Sequence, residues 1–214
     1  SAQAQQTWDF LDLSESIPLI EADNINWNVD KYQTDVPIQW SNNIAFTEWS
    51  TLKANGEEIP ATKGLMFIGD KGKLLFSISS KNKNYFKLNN NKAKIKICNL
   101  KKGQKITIVG VSGSKEEPRT FTAVENLEVT SGMEPTLEEQ TSEAKVMNDG
   151  DIVIGCTNAM NVYSISLSAD ATGIAQTTIS KPSGNDKFYT LDGKQVKPSH
   201  KGIIIANGKK YTNK

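Results

Sequence analysis

At 214 residues, with 37% hydrophobic and 23% charged residues, the chain has enough apolar material for one substantial core, or for one domain with an appendage. That balance excludes an intrinsically disordered chain, and no apolar run is long enough to cross a bilayer as a helix. A formal net charge of +1 supplies no global field to draw in nucleic acid or an anionic membrane.

The opening residues, "SAQAQQTWDF", contain Ala2-Gln3-Ala4, the small-x-small pattern cut by signal peptidase, and so point to export. "TWDFLDL" reads as a first strand with Trp8, Phe10 and Asp12 on one face. Between it and the next clear strands, Trp27, Tyr32, Trp40 and Trp49 are spaced among Asn, Asp, Gln and Ser, a composition that reads as loops. "GLMFIG" (64–69) and "KLLFSIS" (73–79) flank Asp70-Lys71-Gly72, which has the composition of a hairpin turn. "NYFKL", "AKIKICNL" and "QKITIVGV" follow, separated by the turn-like clusters 89–91 and 101–103. In the second of these, Lys94 and Lys96 alternate with Ile95 and Ile97, which predicts one wet and one buried face.

"RTFTAVENLEV" (119–129) reads as a single strand, and "DIVIGC" (151–156) and "MNVYSISL" (160–167) complete the set. The acidic stretch 132–143, "GMEPTLEEQTSE", lacks alternation and reads as a surface loop, with or without a short helical turn. Short strands separated by polar turns predict an all-β fold, an antiparallel β-sandwich of jelly-roll type. From 168 to 186 the composition turns small and polar with Pro and Gly, which is a linker signature. The expected organisation is a sandwich over 1–168, a linker over 169–187 and a short β tail over 188–214.

The tail holds two hairpin signals. Asp192-Gly193 suits a type I′ turn between Tyr189, Leu191 and Val196, and Asn207-Gly208 marks a second turn. So short a stretch cannot supply an independent core. Tyr189, Leu191, Gly193, Val196, Gly202, Ile203, Ile205, Gly208, Lys209 and Lys210 follow the pattern Tyr-x-Leu-x-Gly-x-x-Val, Lys-Gly-Ile-Tyr-Ile, Asn-Gly-Lys-Lys with a basic last residue. This resembles the C-terminal segment of many secreted and surface proteins of the Bacteroidetes, with Ile204 where the family usually has Tyr. In those relatives the motif ends a larger β-sandwich read by a secretion system; only the final motif is present here. The resemblance implies a secreted, periplasmic or cell-surface protein. "TWDFLDLSE" with "LIEADNINWNVD" is, in addition, similar to the opening of noncatalytic sandwich domains in secreted polysaccharide-active proteins of the same bacteria. "IPATKGLMFIG" and "LKKGQKITI" extend that likeness.

The sequence offers little catalytic chemistry. His200 is the single histidine, with no nucleophile or orienting carboxylate adjoining it in sequence. "GVSGSK" (110–115) has neither P-loop nor dinucleotide spacing, and reads as a turn. The doublets Glu57-Glu58, Glu116-Glu117 and Glu138-Glu139 sit in turn-like contexts, although two acids converging in a cleft would revive a glycoside hydrolase. Cys98 and Cys156 lie in strand patterns and read as buried thiols or an optional bridge, not as a metal site. No cofactor is expected beyond a structural calcium, for which Asp9, Asp23, Asp149 and Asp151 are the conceivable ligands.

Aromatic rings stack on the apolar faces of sugars while amides and carboxylates bond their hydroxyl edges. Trp27, Tyr32, Trp40 and Trp49 are therefore the expected ligand-binding residues of a noncatalytic module that takes polysaccharide. The alternative is an adhesive or structural surface protein with a protein partner, and neither reading involves nucleic acid or a membrane span.

Overall fold

The computed structural model describes residues 5–29, 37–169, 187–197, 200–206 and 209–213. The chain forms two compact units, Ser1–Thr172 and Gly173–Lys214. Most of the stretch read as a linker, and the turn at Asn207-Gly208, lie outside the described residues.

In the first unit the elements run β1 (Gln6–Asp9), α1 (Ile17–Ala22), β2 (Trp27–Val29), β3 (Ile38–Asn42), β4 (Phe46–Ser50), β5 (Lys53–Ala54) and β6 (Glu57–Glu58). After a 3-10 turn (Pro60–Thr62) come β7 (Met66–Gly69), β8 (Leu74–Ile78), β9 (Tyr85–Leu88), β10 (Lys94–Leu100) and β11 (Lys105–Ser112). The unit closes with β12 (Phe121–Glu125), β13 (Leu127–Ser131), β14 (Gln140–Val146), β15 (Gly150–Cys156) and β16 (Met160–Leu167). The second unit holds β17 (Phe188–Tyr189), β18 (Gln195–Val196), β19 (Gly202–Ala206) and β20 (Lys209–Asn213).

Two antiparallel sheets build the first unit, so the fold is the all-β sandwich that the alternation predicts. The larger has nine strands, ordered β13-β14-β11-β16-β9-β8-β3-β2, with β1 also on β16. The smaller has five, ordered β12-β15-β10-β7-β4. β9 pairs with β16 over Met160–Val162 and β1 pairs with it over Ser164–Leu167, so both share one long strand end to end. Side chains alternate across each strand, and one parity of each sheet fills the space between them. Phe76 and Phe86 from the larger sheet meet Phe67 from the smaller, with centroids 5.0 Å (Phe76–Phe86) and 5.3 Å (Phe67–Phe86) apart. Phe10 and Trp27 complete this aromatic centre, each 5.5 Å from a phenylalanine.

Several local expectations change in the structure. The first strand ends at Asp9, whose Oδ1 accepts the Leu11 amide; Phe10 is buried but Asp12 is exposed and caps the Ser14 amide. The turn at Asp70-Lys71-Gly72 forms, with Gly72 at φ 75°, yet it makes no hairpin. β7 belongs to the smaller sheet and β8 to the larger, so the turn carries the chain from one layer to the other. Asn42 pins that corner: its carbonyl accepts the Gly72 amide at 2.8 Å and its Oδ1 accepts the Leu74 amide at 3.0 Å. The run 119–129 is two strands, because Asn126 takes φ 57° and sends β12 and β13 into different sheets. The stretch read as a loop over 132–143 already contains the start of β14.

The second unit is a four-stranded antiparallel sheet, ordered β18-β17-β19-β20. Among the described residues, Phe188 and Ile204 are its buried apolar ones, with Val196 against them. Gly193 takes φ 82° while Asp192 does not join it at positive φ, so the turn is not type I′. The Gly193 amide instead reaches the Thr190 carbonyl and the Thr190 amide reaches Lys194, a longer loop of the same hairpin.

Candidate binding face

The outward parity of the larger sheet carries the polar side chains that the core rejects. On β9 these are Tyr85 and Lys87; their neighbours Phe86 and Leu88 point inward and are fully buried. On β16, Asn161 faces outward between the buried Met160 and Val162. The register pairs Asn161 with Lys87 and Val162 with Phe86, so Tyr163 falls beside Tyr85. Two tyrosines and a lysine–asparagine pair thus make a grid on adjacent strands.

The surroundings of this grid fix its orientation. Gln39, on β3, donates from Nε2 to the Tyr85 hydroxyl at 3.3 Å, and Ser77 lies between the two in register, fully buried. Leu75 is likewise flanked by Ser41 and Lys87 and is only 6% exposed, as expected where a lysine stem lies over an apolar neighbour. The Lys83 ammonium sits 4.7 Å from the centre of the Tyr163 ring and bonds Glu139 at 2.6 Å. Burial raises the Tyr163 phenol above its ordinary pKa, more than the Lys83 charge lowers it.

The lysine–asparagine end is electrostatically unbalanced. Asn161 Oδ1 is buried and accepts no hydrogen bond, an uncommon state for an interior polar atom. Burial lowers the Lys87 ammonium from its ordinary range, and the Arg119 guanidinium nearby lowers it further. Arg119 is anchored at this end of β16: Nη1 donates to the Ala159 carbonyl at 3.4 Å, Nη2 bonds Glu117, and Nε is buried without a partner. No hydrogen bond or ion pair reaches the Lys87 ammonium among the described residues.

The aromatic residues picked out by composition sit elsewhere. Trp27 and Trp40 lie in β2 and β3, not in loops, and both belong to the core at 2% and 3% exposure. Trp27 Nε1 donates to the Lys53 carbonyl at 2.9 Å, and Trp40 Nε1 is buried without a partner. Neither ring offers a face to a sugar, because the strand parity that holds them points between the sheets. Tyr32 lies outside the described residues. Trp49, in β4, is half-buried on the other sheet with the Lys96 ammonium 4.5 Å from its ring centre. Trp27, Trp40 and Trp49 therefore form no common platform.

The aspartates considered for calcium are each committed to the backbone. Asp23, 4% exposed, accepts from the amides of Asn26 and Asn55 and from Asn26 Nδ2. Burial alone would raise its pKa; these hydrogen bonds outweigh it and hold the carboxyl below its usual range. Asp149 accepts from the Lys102 amide and Asp151 from the Asn99 amide, while Asp9 caps Leu11. Among the described residues no three His, Cys, Asp or Glu side chains gather as a metal site. Cys156 points into the core and burial pushes its thiol to about 12, whereas Cys98 faces outward 3.7 Å from Met66 Sδ. Both are free thiols on opposite faces of the smaller sheet.

An open concavity of about 310 Å³ beside β1 is lined by Asp9, Asp12 and Glu15. The Ser14 hydrogen bonds lower the Asp12 pKa, the reverse of what a general acid requires. Among the described residues no helix is long and apolar enough to cross a membrane. No protein-family model matches this chain, and no curated protein matches it.

Proposed function

We propose that the chain is a noncatalytic module, secreted or displayed at the cell surface, that holds carbohydrate on the outward face of its larger sheet. The observation that carries this reading is the grid of Tyr85, Tyr163, Lys87 and Asn161. It combines half-buried aromatic rings with the Lys87 ammonium, which no carboxylate among the described residues pairs. A sugar ring meets both at once, an apolar face for the tyrosines and hydroxyls for the lysine. Such a site is built on adjacent strands, which hold side chains in place better than loops do.

The experiment is a glycan array, with plant and host polysaccharides together, probed with the whole chain and with Tyr85→Ala and Tyr163→Ala. Binding to a defined glycan that drops at least about tenfold in either variant is the expected result, since one aromatic–sugar contact contributes on the order of 1–2 kcal/mol. Absence of binding to every glycan, with the fold intact by circular dichroism, overturns the reading. A protein-contact function is favoured by one separate observation. Ile25 and Ile44 are 80% and 46% exposed and are brought together because Asn43 bonds the carbonyls of Ile25 and Asn26.

A further inference from the structure

We infer that Lys83 and Glu139 together hold two adjacent hydroxyls of a neutral sugar ring, with Tyr163 beneath them and Tyr85 beside it. The inference rests on the carbohydrate reading above and names the ligand class of the same face. Lys83 precedes β9 and Glu139 precedes β14, and the sheet order sets β16 and β11 between those strands. Their 2.6 Å bond therefore spans both strands on the outward face, with the ammonium 4.7 Å from the centre of the Tyr163 ring. Both side chains stay open to solvent, at 52% and 48% exposure.

The bridge is held in place from both ends. Asn84, next to Lys83, accepts the Ser79 amide at 2.9 Å and donates to the Leu11 carbonyl at 3.1 Å, and Ser79 Oγ accepts the amides of Lys81 and Asn82. Gln140, next to Glu139, donates to the Arg119 carbonyl and accepts from Thr120 and Ser142. Such bracing lowers the ordering cost that makes an ordinary exposed ion pair a poor ligand group. Lys96, over Trp49 on the smaller sheet, is the nearest parallel, but its side chain is only 20% exposed and its carboxylate, on Asp151, lies 4.0 Å away.

An ammonium has three donors and a carboxylate about four acceptor sites, so each keeps bonding capacity after meeting the other. Adjacent hydroxyls of a sugar ring lie about one hydrogen bond apart, so one can accept from Lys83 while its neighbour donates to Glu139. The two charges cancel, and the pair calls for no charge on the ligand. It calls for a ring with two neighbouring hydroxyls free. Glycans linked through the 4-position have them, and a 3-linked glucan lacks them at every internal ring.

The test is calorimetry on the full chain with a 4-linked glucan, glucomannan and galactan, each against a 3-linked glucan and polygalacturonate, all in water-soluble form. Lys83→Met, Lys83→Arg and Glu139→Ala are compared with wild type, their folds checked by circular dichroism. The expected result is that at least one neutral 4-linked glycan binds at least about tenfold more tightly than the 3-linked glucan. Lys83→Met and Glu139→Ala should each weaken that binding about tenfold and erase the preference for linkage, with Lys83→Arg keeping part of both. A purely structural bridge would leave the preference intact. Unchanged binding in both variants, or a 3-linked glucan bound as tightly as the others, overturns the inference and leaves the carbohydrate reading standing. So does binding of polygalacturonate alone. Tighter binding in Lys83→Met and Glu139→Ala also overturns it, because the bridge would then be a cover over Tyr163 and not a ligand group. Absence of binding to every glycan removes both the inference and the reading beneath it.

Discussion

Asp23 illustrates how much one short carboxylate can organise. Its two oxygens bind the turn that leads into β2 and the Asn55 amide of the β5–β6 hairpin, so two loops depend on a single buried group. Asp23→Ala should leave those amides unmatched and cost about 1–3 kcal/mol in urea unfolding at neutral pH. The sign of the pH dependence follows from the lowered folded-state pKa. The stabilisation is present above the unfolded value near 4 and fades as pH falls through the folded value. The gap between wild type and Asp23→Asn should therefore narrow only below about pH 4; a gap constant across that window would show that charge plays no part. The candidate site shows the opposite side of legibility. Lys87 and Asn161 each occupy an ordinary polar position in an alternating strand, and nothing local marks them. Only the register of β9 against β16 makes them neighbours. The tryptophans misled for a related reason: polar flanks suggested loops, but Trp27 and Trp40 are the inward residues of short strands whose outward residues are polar.

Strands were readable where inward positions are apolar. β10 alternates Lys with Ile and pairs on both sides as that alternation predicts. β14 hid because its inward residues begin Gln140 and Ser142, which satisfy each other: Ser142 Oγ and Thr120 Oγ1 both donate to Gln140 Oε1 at 3.0 Å. A polar cluster inside a sandwich erases the pattern that betrays a strand. The turn at 70–72 was equally visible and equally incomplete, since turn chemistry fixes a bend but not which sheet the next strand joins. The contact between β11 and β16 gives an element-scale prediction. A Cβ on Gly110 would lie 2.3 Å from the Asn161 carbonyl and 2.7 Å from the Phe121 ring. Gly110→Ala must push these strands apart, at a cost of about 1–3 kcal/mol or more. Since Asn161 belongs to the candidate site, the same variant should also weaken ligand binding, measured by calorimetry on the folded fraction.

At the scale of the whole molecule, the two units differ in what they bury. Ser1–Thr172 encloses one continuous core spanning both sheets, whereas Phe188 and Ile204 are the buried apolar residues described in the second unit. A chain ended after Thr172 should still unfold in one cooperative transition by circular dichroism, and the isolated 173–214 peptide should show none. A broad, non-cooperative melt of the truncated chain would show that the sandwich needs its tail. The strand pairing of the sandwich also sets an order of events during synthesis. Trp8 lies opposite Ile165, so the first strand of this unit waits during synthesis for its last strand. Until then its hydrogen-bonding edge has no permanent neighbour, and nearly the entire unit must be made before the larger sheet can close. Such pairing between distant parts of the chain places folding on the millisecond-to-second scale. A partly made chain is thus kept open, in a form that machinery able to accept only unfolded polypeptide could still engage.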